Sequence, residues 1–372
     1  MDSNKQKITI LLLSAPIGSG HRLAAEALRE QFAKYENIDV IHGNIFDFFP
    51  SIIGTTFLRF YLWILSCCPW MYELAYKWGN RENGSIWLRS ILNKALLALG
   101  SNFLRRVKPD AVIATHATPA GIMTYYKQKH PEVFLGAVVT DFTIHKWWLC
   151  DGVDAYFIAD ERLREKITVP SEIIPYGIPV REQFLQNNRA QCRAGFAWKD
   201  EEHICLLMGG GEGLLPMEQL LQALINTEIK GLRLIAITGH NSKMEQTLRE
   251  KFSEYTQLEI YGYREDVPQL MAGADIIITK AGGLTSAEVL ASNLELIIYK
   301  PLPGQEQGNA AFLRDNYCVR IANDVPGLIR SVESLCAHAK GIQSVKSYGK
   351  PLAAKQICEY TLEHIHVKKF TT

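Results

Sequence analysis

Near its start, the chain reads ITILLLSAPIGSGH over residues 8–21. The first six of these residues are apolar or β-branched, which predicts a short buried strand. Gly18, Ser19 and Gly20 then predict a tight loop, and a helical pattern begins near His21. A buried strand that runs through a glycine loop into a helix is typical of an α/β unit with a parallel sheet. Further buried strands, with helices between them, are predicted at residues 40–41, 111–114, 135–139 and 155–159.

The same pattern restarts near the middle of the chain. Residues 204–208 form another apolar run, and Gly209, Gly210 and Gly211 follow at once. More strands are predicted at residues 232–237, 258–261, 276–279 and 296–299. The predicted fold class is therefore α/β, with two Rossmann-like domains that each hold a doubly wound parallel sheet.

The restart also predicts the domain boundaries. We expect an N-terminal domain over residues 1–177 and a C-terminal domain over residues 178–345, with the linker at residues 174–179. Residues 346–372 include a helical pattern, and one option is that this helix packs back on the N-terminal domain.

The composition excludes several classes of protein. The 372 residues include 40 Lys and Arg against 39 Asp and Glu, and this balance argues against a dedicated nucleic-acid binder. The 8 cysteines form no C-x-x-C pair, which indicates reduced thiols and not a disulfide framework or a zinc site. No span reaches the roughly 20 apolar residues that cross a bilayer. We expect a soluble protein, or one attached to a membrane without crossing it.

Residues 46–108 combine aromatic rings with basic charge. Basic residues beside Trp, Phe and Leu on helices are typical of a surface that lies on an anionic membrane. The alternative is that the rings belong to the core and the charges to an ordinary solvated face. The candidates for contact with the membrane or a lipid substrate in this segment are Trp63, Arg89, Arg105 and Arg106.

The first glycine loop does not fit a dinucleotide fingerprint. G-x-G-x-x-G would require glycine where Leu23 stands, although Asp39 lies near the place of a ribose-binding acid. The loop still lets a substrate approach the backbone, and the helix start after it offers free N–H groups. His21 stands at that junction, where it could reach a ligand.

Residues 261–309 carry the strongest pattern for ligand binding. A strand ends before Gly282 and Gly283, and a helix with Thr285 and Glu288 in its first turns follows. Such a helix start binds a diphosphate through its dipole and amides, and a carboxylate there can accept from two ribose hydroxyls. An ordinary loop with a capping box is the alternative.

Several motifs together match one family in its order. They are SGH at 19–21, VTDF at 139–142 with His145 and Trp148, MGGGEG at 208–213, and PGQE at 303–306 with Gly308 and Asn309. Over almost the whole chain, the sequence resembles the monogalactosyldiacylglycerol synthases and the related processive diacylglycerol glucosyltransferases. These are inverting glycosyltransferases of the GT-B fold, in which two Rossmann-like domains face each other across a cleft. The group also holds the lipid II glucosaminyltransferase.

The resemblance implies a UDP-sugar donor. It places the nucleobase against Gly262, Tyr263 and Arg264, the ribose on Glu288, and the sugar hydroxyls on Gln305 and Glu306. It also implies that His145 and Trp148 contact the acceptor. The full set expected to bind the UDP-sugar is Gly20, Gly210, Gly211, Gly262, Tyr263, Arg264, Gly282, Gly283, Leu284, Thr285, Glu288, Gln305, Glu306 and Asn309.

The acceptor hydroxyl needs a general base. His21 is the first candidate, because an imidazole titrates near neutral pH. Asp141 is the second, either as the base or as the partner that orients the histidine. The chain contains no Asp-x-Asp sequence, so we expect no cofactor and no essential divalent metal, with a positive helix end stabilising the departing UDP.

The predicted function is transfer of glucose or galactose from a UDP-sugar to 1,2-diacylglycerol, giving a β-glycosyl-diacylglycerol. The expected partners are UDP-glucose or UDP-galactose, diacylglycerol and anionic membrane lipids, with no nucleic acid. The expected place is the cytoplasm, at the inner face of the cell membrane. Two alternatives stay open: another lipid acceptor, or a UDP-sugar-sensing regulator without turnover.

Overall fold

The computed structural model of the protein describes residues 7–15, 19–48, 86–211, 215–337 and 348–371. The chain divides into two compact units, Met1–Arg181 together with Leu352–Thr372, and Glu182–Pro351. The two boundaries lie a few residues later than those predicted after residues 177 and 345. The C-terminal helix belongs to the first unit.

Each unit contains one six-stranded sheet in which all neighbouring strands are parallel. The first sheet has the order β2-β1-β3-β4-β5-β6, and the second has the order β12-β11-β10-β7-β8-β9. The strands of the first unit are β1 Ile8–Ser14, β2 Ile38–Asn44, β3 Ala111–Ala114, β4 Phe134–Val138, β5 Ala155–Phe157 and β6 Glu172–Ile174. Those of the second unit are β7 His203–Met208, β8 Leu232–Ile237, β9 Leu258–Tyr261, β10 Ile276–Thr279, β11 Glu295–Tyr299 and β12 Arg320–Ala322.

Helices follow most strands. In chain order they are α1 Ser19–Phe32, α2 Ile86–Val107, α3 Ala117–Lys127, α4 Gln183–Gln186, α5 Arg189–Gly195, α6 Met217–Ile225, α7 Ser242–Lys251, α8 Val267–Gly273, α9 Gly283–Ala291, α10 Gln305–Tyr317, α11 Val325–Ala337 and α12 Ala353–Thr371. Short 3₁₀ turns lie at Ile45–Phe48, Lys146–Trp148 and Glu161–Lys166.

The core of the first unit explains why the first stretch of sequence forms a strand. Residues on both faces of β1, from Ile10 to Leu13, are buried, as a parallel sheet with helices on both sides requires. The C-terminal helix α12 contributes Ile357 to the same core. Its Tyr360 packs edge-on against Phe157 of β5 at 5.4 Å between ring centres, and its hydroxyl donates to Glu172 of β6. The C-terminal helix α12 thus packs on the N-terminal domain, which was one of the options left by the sequence.

The predicted α/β class with two parallel sheets is confirmed, and every strand predicted from an apolar run is present. Two strands of three residues each, β6 and β12, escaped the sequence analysis. Ile174 was assigned to the linker but ends β6, so that assignment was wrong at its first residue. Both missed strands lie at the edge of their sheet, where an apolar run is not needed.

No helix within the described ranges is long and apolar enough to cross a bilayer. The predicted membrane segment, residues 46–108, is described only at its two ends, and Trp63 lies outside the described residues. Every cysteine in the described part of the chain is a free thiol.

Candidate active site

The imidazole of His21 is held at the carboxyl edge of the first sheet. His21 lies in the first turn of α1, directly after Gly20. Its Nδ1 is 2.8 Å from the main-chain oxygen of Thr115 and 2.8 Å from Oγ1 of Thr140. A carbonyl oxygen can only accept, so Nδ1 carries the proton and donates it to Thr115. In the neutral ring this leaves the lone pair on Nε2, which is the atom a general base needs.

The sheet order explains this meeting of residues that are distant in sequence. Thr115 follows β3, which lies beside β1 in the sheet. Thr140 follows β4, which lies on the other side of β3. The carboxyl ends of parallel strands meet at one edge, where α/β proteins bind ligands. The hydroxyl of Thr115 also donates to the main-chain oxygen of His21 at 3.0 Å. Thr115 therefore holds both the main chain of His21, at the start of α1, and the His21 side chain.

The surroundings of His21 favour its neutral form. Burial lowers the pKa of His21, while the charge of Asp141 and the hydrogen bond to Thr115 act in the opposite direction and only partly offset it. Asp141 is itself buried, in the loop after β4. The structure therefore brings the two predicted catalytic residues to the same edge, with a histidine that is unprotonated at neutral pH and a carboxylate that stabilises it once it takes up a proton.

A second histidine, His116, is part of this site and was missed by the sequence analysis. It follows Thr115 directly and is the N-cap of α3. Its ring is 4.7 Å from the ring of His21, nearly perpendicular to it, and 6.5 Å from the ring of Trp148. The signal was present: two polar residues follow a strand made entirely of buried apolar residues, which is where ligand-facing side chains stand.

The predicted acceptor residues lie on one braced loop. His145 caps the 3₁₀ turn Lys146–Trp148 by accepting from the main-chain N–H of Trp147 at 3.2 Å. The Arg89 guanidinium, from α2, donates to the main-chain oxygens of residues 146, 147 and 149. Trp148 is buried in the same turn. Arg89 therefore holds the loop that carries Trp148. The predicted contact of Arg89 with the membrane or a lipid stays a prediction.

In the second unit, two glycine loops touch each other at the carboxyl edge of the sheet. Gly210, after β7, has a φ of +75°, and Gly239, after β8, has a φ of +64°. The carbonyl oxygen of Gly211 accepts from the N–H of His240 at 2.9 Å. A Cβ on Gly239 would collide with the Gly211 carbonyl, so the close approach requires glycine there. Gly210 and Gly211 are thus held at the carboxyl edge of the second sheet, and their contact with the donor stays a prediction.

The N-terminus of α9 is free of side-chain capping. Its N-cap is Gly282, and no side chain makes a cap hydrogen bond there, so the capping-box alternative is not realised in this described helix. Gly283 and Leu284 are buried in the first turn, while Thr285 is partly exposed. Glu288 lies one turn further and is buried. This arrangement leaves the first N–H groups of α9 for an anion.

A lysine that the sequence analysis left without a role lies beside this helix start. Lys280 follows β10, and its ammonium is 3.8 Å from a carboxylate oxygen of Glu306. A Cβ on Gly210 would contact the Lys280 side chain at 3.1 Å, so the lysine lies over the glycine loop that follows β7. A basic residue between a strand and Gly-Gly was the available signal. Its positive charge adds to that of the helix end.

The predicted donor residues in α10 differ in exposure: some are accessible at the start of the helix, and one is buried and supports a neighbouring loop. Gly304, with a φ of +96°, precedes Gln305, and both Gln305 and Glu306 are partly exposed in the first turn. Glu306 accepts from the N–H of Leu302 at 3.1 Å. Asn309 is buried, and its amide donates to the main-chain oxygen of Ala281 at 3.0 Å. Asn309 therefore anchors the loop before α9, and its predicted contact with the donor stays a prediction.

The predicted nucleobase segment presents an exposed aromatic ring. Gly262 and Tyr263 follow β9, and the Tyr263 ring is stacked on His240 at 4.4 Å with 11° between the planes. Tyr263 is 57% exposed, so one face of the stacked pair meets solvent. Arg264 forms an ion pair with Asp266 and lies over the Tyr261 ring at 4.3 Å. The segment thus presents an exposed aromatic face of the kind a flat base can stack on.

Comparison with known proteins assigns each unit to a domain family. Residues 21–180 match the family described as Monogalactosyldiacylglycerol (MGDG) synthase, and residues 204–334 match the Glycosyltransferase family 28 C-terminal domain. A Bacillus licheniformis protein named processive diacylglycerol beta-glucosyltransferase is 29% identical over 98% of this chain and 95% of its own length.

Two solved structures share the fold. MurG from Acinetobacter baumannii has a TM-score of 0.65 at 16% identity, covering 96% of this chain and 99% of that one. UDP-GlcNAc 2-epimerase from Neisseria meningitidis, bound to UDP-GlcNAc, has a TM-score of 0.58 at 15% identity, covering 96% of this chain and 100% of that one. Identities this low show the fold alone.

The two parallel sheets have the two-domain GT-B architecture, and the match of the second unit is to a glycosyltransferase domain family. The chain carries an MGDG synthase domain followed by a family 28 C-terminal domain, and it is a relative of the processive diacylglycerol glucosyltransferases. The family resemblance and the fold class predicted from the sequence are confirmed.

The contact between the two glycine loops makes a prediction about UDP binding. Gly239→Ala is expected to weaken UDP binding about tenfold or more, because the methyl group displaces the Gly211 carbonyl and with it the Gly210 loop. The matched control is Gly231→Ala. Gly231 has a φ of +72°, and its Cβ would approach the Glu201 carbonyl at 3.3 Å at the opposite end of β8. Calorimetric titration with UDP should give the control the wild-type affinity, and an unaltered affinity in Gly239→Ala would contradict the prediction.

Proposed function

We propose that the protein transfers a hexose, glucose or galactose, from a UDP-sugar to the hydroxyl of 1,2-diacylglycerol, with inversion at the sugar carbon. The observation that carries the proposal is the fixed tautomer of His21, whose Nδ1–H is bound to the Thr115 carbonyl and whose pKa is lowered by burial. A neutral imidazole with a free Nε2 is suited to take the proton of an alcohol. The name of the Bacillus relative supports the donor and acceptor classes.

The second unit would bind the donor. The uncapped N-terminus of α9 offers N–H groups and a positive dipole end to the diphosphate, and the Lys280 ammonium lies close by. Glu288, buried one turn into the helix, would accept from the ribose hydroxyls. The stacked pair of His240 and Tyr263 would receive the uracil ring. The UDP-GlcNAc bound by the epimerase that shares this fold supports a nucleotide-sugar site.

The reaction then follows from the two sets of residues. The acceptor oxygen attacks the anomeric carbon as its proton passes to Nε2 of His21. The bond from that carbon to the β-phosphate oxygen breaks, and the electron pair leaves with UDP. In-line attack converts an α-linked donor into a β-glycoside. Asp141 stabilises the imidazolium that forms, because its negative charge favours the protonated ring.

The charge that develops on UDP would be neutralised without a divalent metal. The helix end of α9 and the Lys280 ammonium supply positive charge where the leaving group departs. Metal independence is part of the proposal.

The experiment that tests the function is a donor screen with vesicles. UDP-glucose and UDP-galactose are incubated with diacylglycerol vesicles, with and without EDTA, and the lipids are resolved by mass and anomeric configuration. We expect a β-hexosyl-diacylglycerol that forms equally well with EDTA. Transfer to another lipid alone would support the second acceptor class, and UDP-sugar binding without any product would support a regulator.

The pH dependence of the reaction should identify the base. In the wild type, kcat/KM should fall as the pH drops through the His21 pKa, which lies below the ordinary value of 6.5. Asp141→Asn removes a charge that raises this pKa, so the acid limb should move to lower pH while kcat falls about tenfold. His21→Gln should lose about 10²–10⁴-fold in kcat and keep UDP affinity.

The alternative, in which Asp141 takes the proton, gives the opposite pattern. Asp141→Asn would then be inactive at every pH, and His21→Gln would keep an acid limb of its own. A pH series of initial rates for both variants distinguishes the two roles.

Binding at the membrane surface is proposed for helix α2. It exposes Ile91, Leu92 and Leu99, at 54%, 47% and 50%, on one helical stripe. Lys94, Arg105 and Arg106 are exposed on the same helix. Apolar side chains flanked by basic ones suit the interface of an anionic bilayer. This supports the predicted role of Arg105 and Arg106.

Two substitutions on α2 test this surface. The double variant Ile91→Ser with Leu99→Ser should bind phosphatidylglycerol vesicles about tenfold more weakly, because two side chains no longer enter the apolar layer. Leu185→Ser in the second unit, where Leu185 is 38% exposed, is the matched control and should bind as the wild type does. Sedimentation with vesicles measures both, and equal binding of all three proteins would refute the assignment.

A further inference from the structure

Among the residues that the structure describes, His116 packs its ring perpendicular to that of His21. The two ring centres are 4.7 Å apart, and the planes make an angle of 88°. The contacts of Nδ1 with Thr115 and Thr140 hold one edge of the His21 ring. The edge-to-face contact with His116 supports the ring away from these hydrogen bonds and adds a second constraint on its plane.

The orientation of His116 is itself fixed. As the N-cap of α3, its Nδ1 accepts from the main-chain N–H of Thr118 at 3.1 Å. An accepting Nδ1 carries no proton, so the neutral ring holds its proton on Nε2. Burial lowers the pKa of His116 well below its ordinary value, and the nearby His21 and His145 lower it further. His116 is thus a neutral ring of one tautomer at neutral pH.

We propose that His116 is a positioning residue for His21: its capped, neutral imidazole braces the plane of the His21 ring and keeps water from the part of the ring that it contacts. The proposal rests on the proposed function, in which His21 is the base. His116 does not touch the reacting atoms in this account. It acts by holding the Nε2 lone pair of His21 in one direction.

The other groups around His21 cannot take over this task. Asp141 acts on it through charge, Thr140 through a hydroxyl, and Thr115 through a carbonyl. His145 acts on His116 and belongs to the braced turn at Lys146–Trp148. Among these groups, His116 alone places a ring against the imidazole, so its removal should admit water there.

Two substitutions separate the ring of His116 from its role as a helix cap. His116→Asn keeps a side chain that can cap α3 and removes the ring. His116→Phe keeps a ring of similar shape and removes the cap. In each variant, the His21 ring is titrated by NMR, and kcat, KM for the UDP-sugar and Tm are measured.

The proposal predicts opposite results for the pair. In His116→Asn, the His21 pKa should rise towards the ordinary value, because desolvation by the lost ring is relieved. Its kcat should fall at least about tenfold at unchanged KM, with Tm near that of the wild type. In His116→Phe, the His21 pKa should stay at its wild-type value, and Tm should fall because α3 loses its cap.

Two outcomes would overturn the proposal. One is a His116→Asn variant with wild-type titration and kcat. The other is a loss of kcat that follows Tm in both variants, which would make His116 a helix cap and nothing more. The titration needs no substrate. A wild type that transfers no sugar, with the predicted difference in His21 titration intact, would therefore count against the proposed function and not against the ring contact.

Discussion

The hydrogen bond from Nδ1 of His21 to the carbonyl of Thr115, at 2.8 Å, is the constraint on which the first unit's site depends. Because the carbonyl can only accept, this bond decides which ring nitrogen keeps a lone pair. It forms because β1 and β3 are neighbours in the sheet, which brings the loop after one strand to the residue after the other. The buried apolar runs that form β1 and β3 therefore determine which ring nitrogen of His21 carries the proton, although His21 lies outside the core.

The same apolar runs explain what could be predicted from the sequence. A central parallel strand is buried on both faces and appears in the sequence as an unbroken apolar run. The positions of β1, β7 and β10 could therefore be predicted. The edge strands β6 and β12 were not, since each has three residues and includes a charged one, Glu172 or Arg320. The sequence also could not show to which unit α12 belongs, because its apolar residues would fit the core of either one.

In the candidate site, the residue types were predictable but their partners were not. Glycine next to a strand signals a close approach of the backbone, and this led to Gly210 and Gly282. The sequence predicts that Arg89 contacts the membrane or a lipid, and it contains no sign that the guanidinium donates to carbonyls almost sixty residues away in sequence. Asn309 anchors the Ala281 carbonyl in the same way. Such partners are set by which strand ends meet, and the sequence of any single segment does not contain that information.

The two units also differ in the kind of group that each brings to chemistry. The second unit presents main-chain N–H groups at α9, whose availability does not change with pH. The first unit presents an imidazole, whose usefulness depends on its protonation and hence on burial, on Asp141 and on the ring beside it. A base must have its pKa placed close to the working pH, whereas a diphosphate needs only fixed positive charge. Under the proposed function, the sensitivity of turnover to pH arises in the first unit, where the surroundings of one histidine set it.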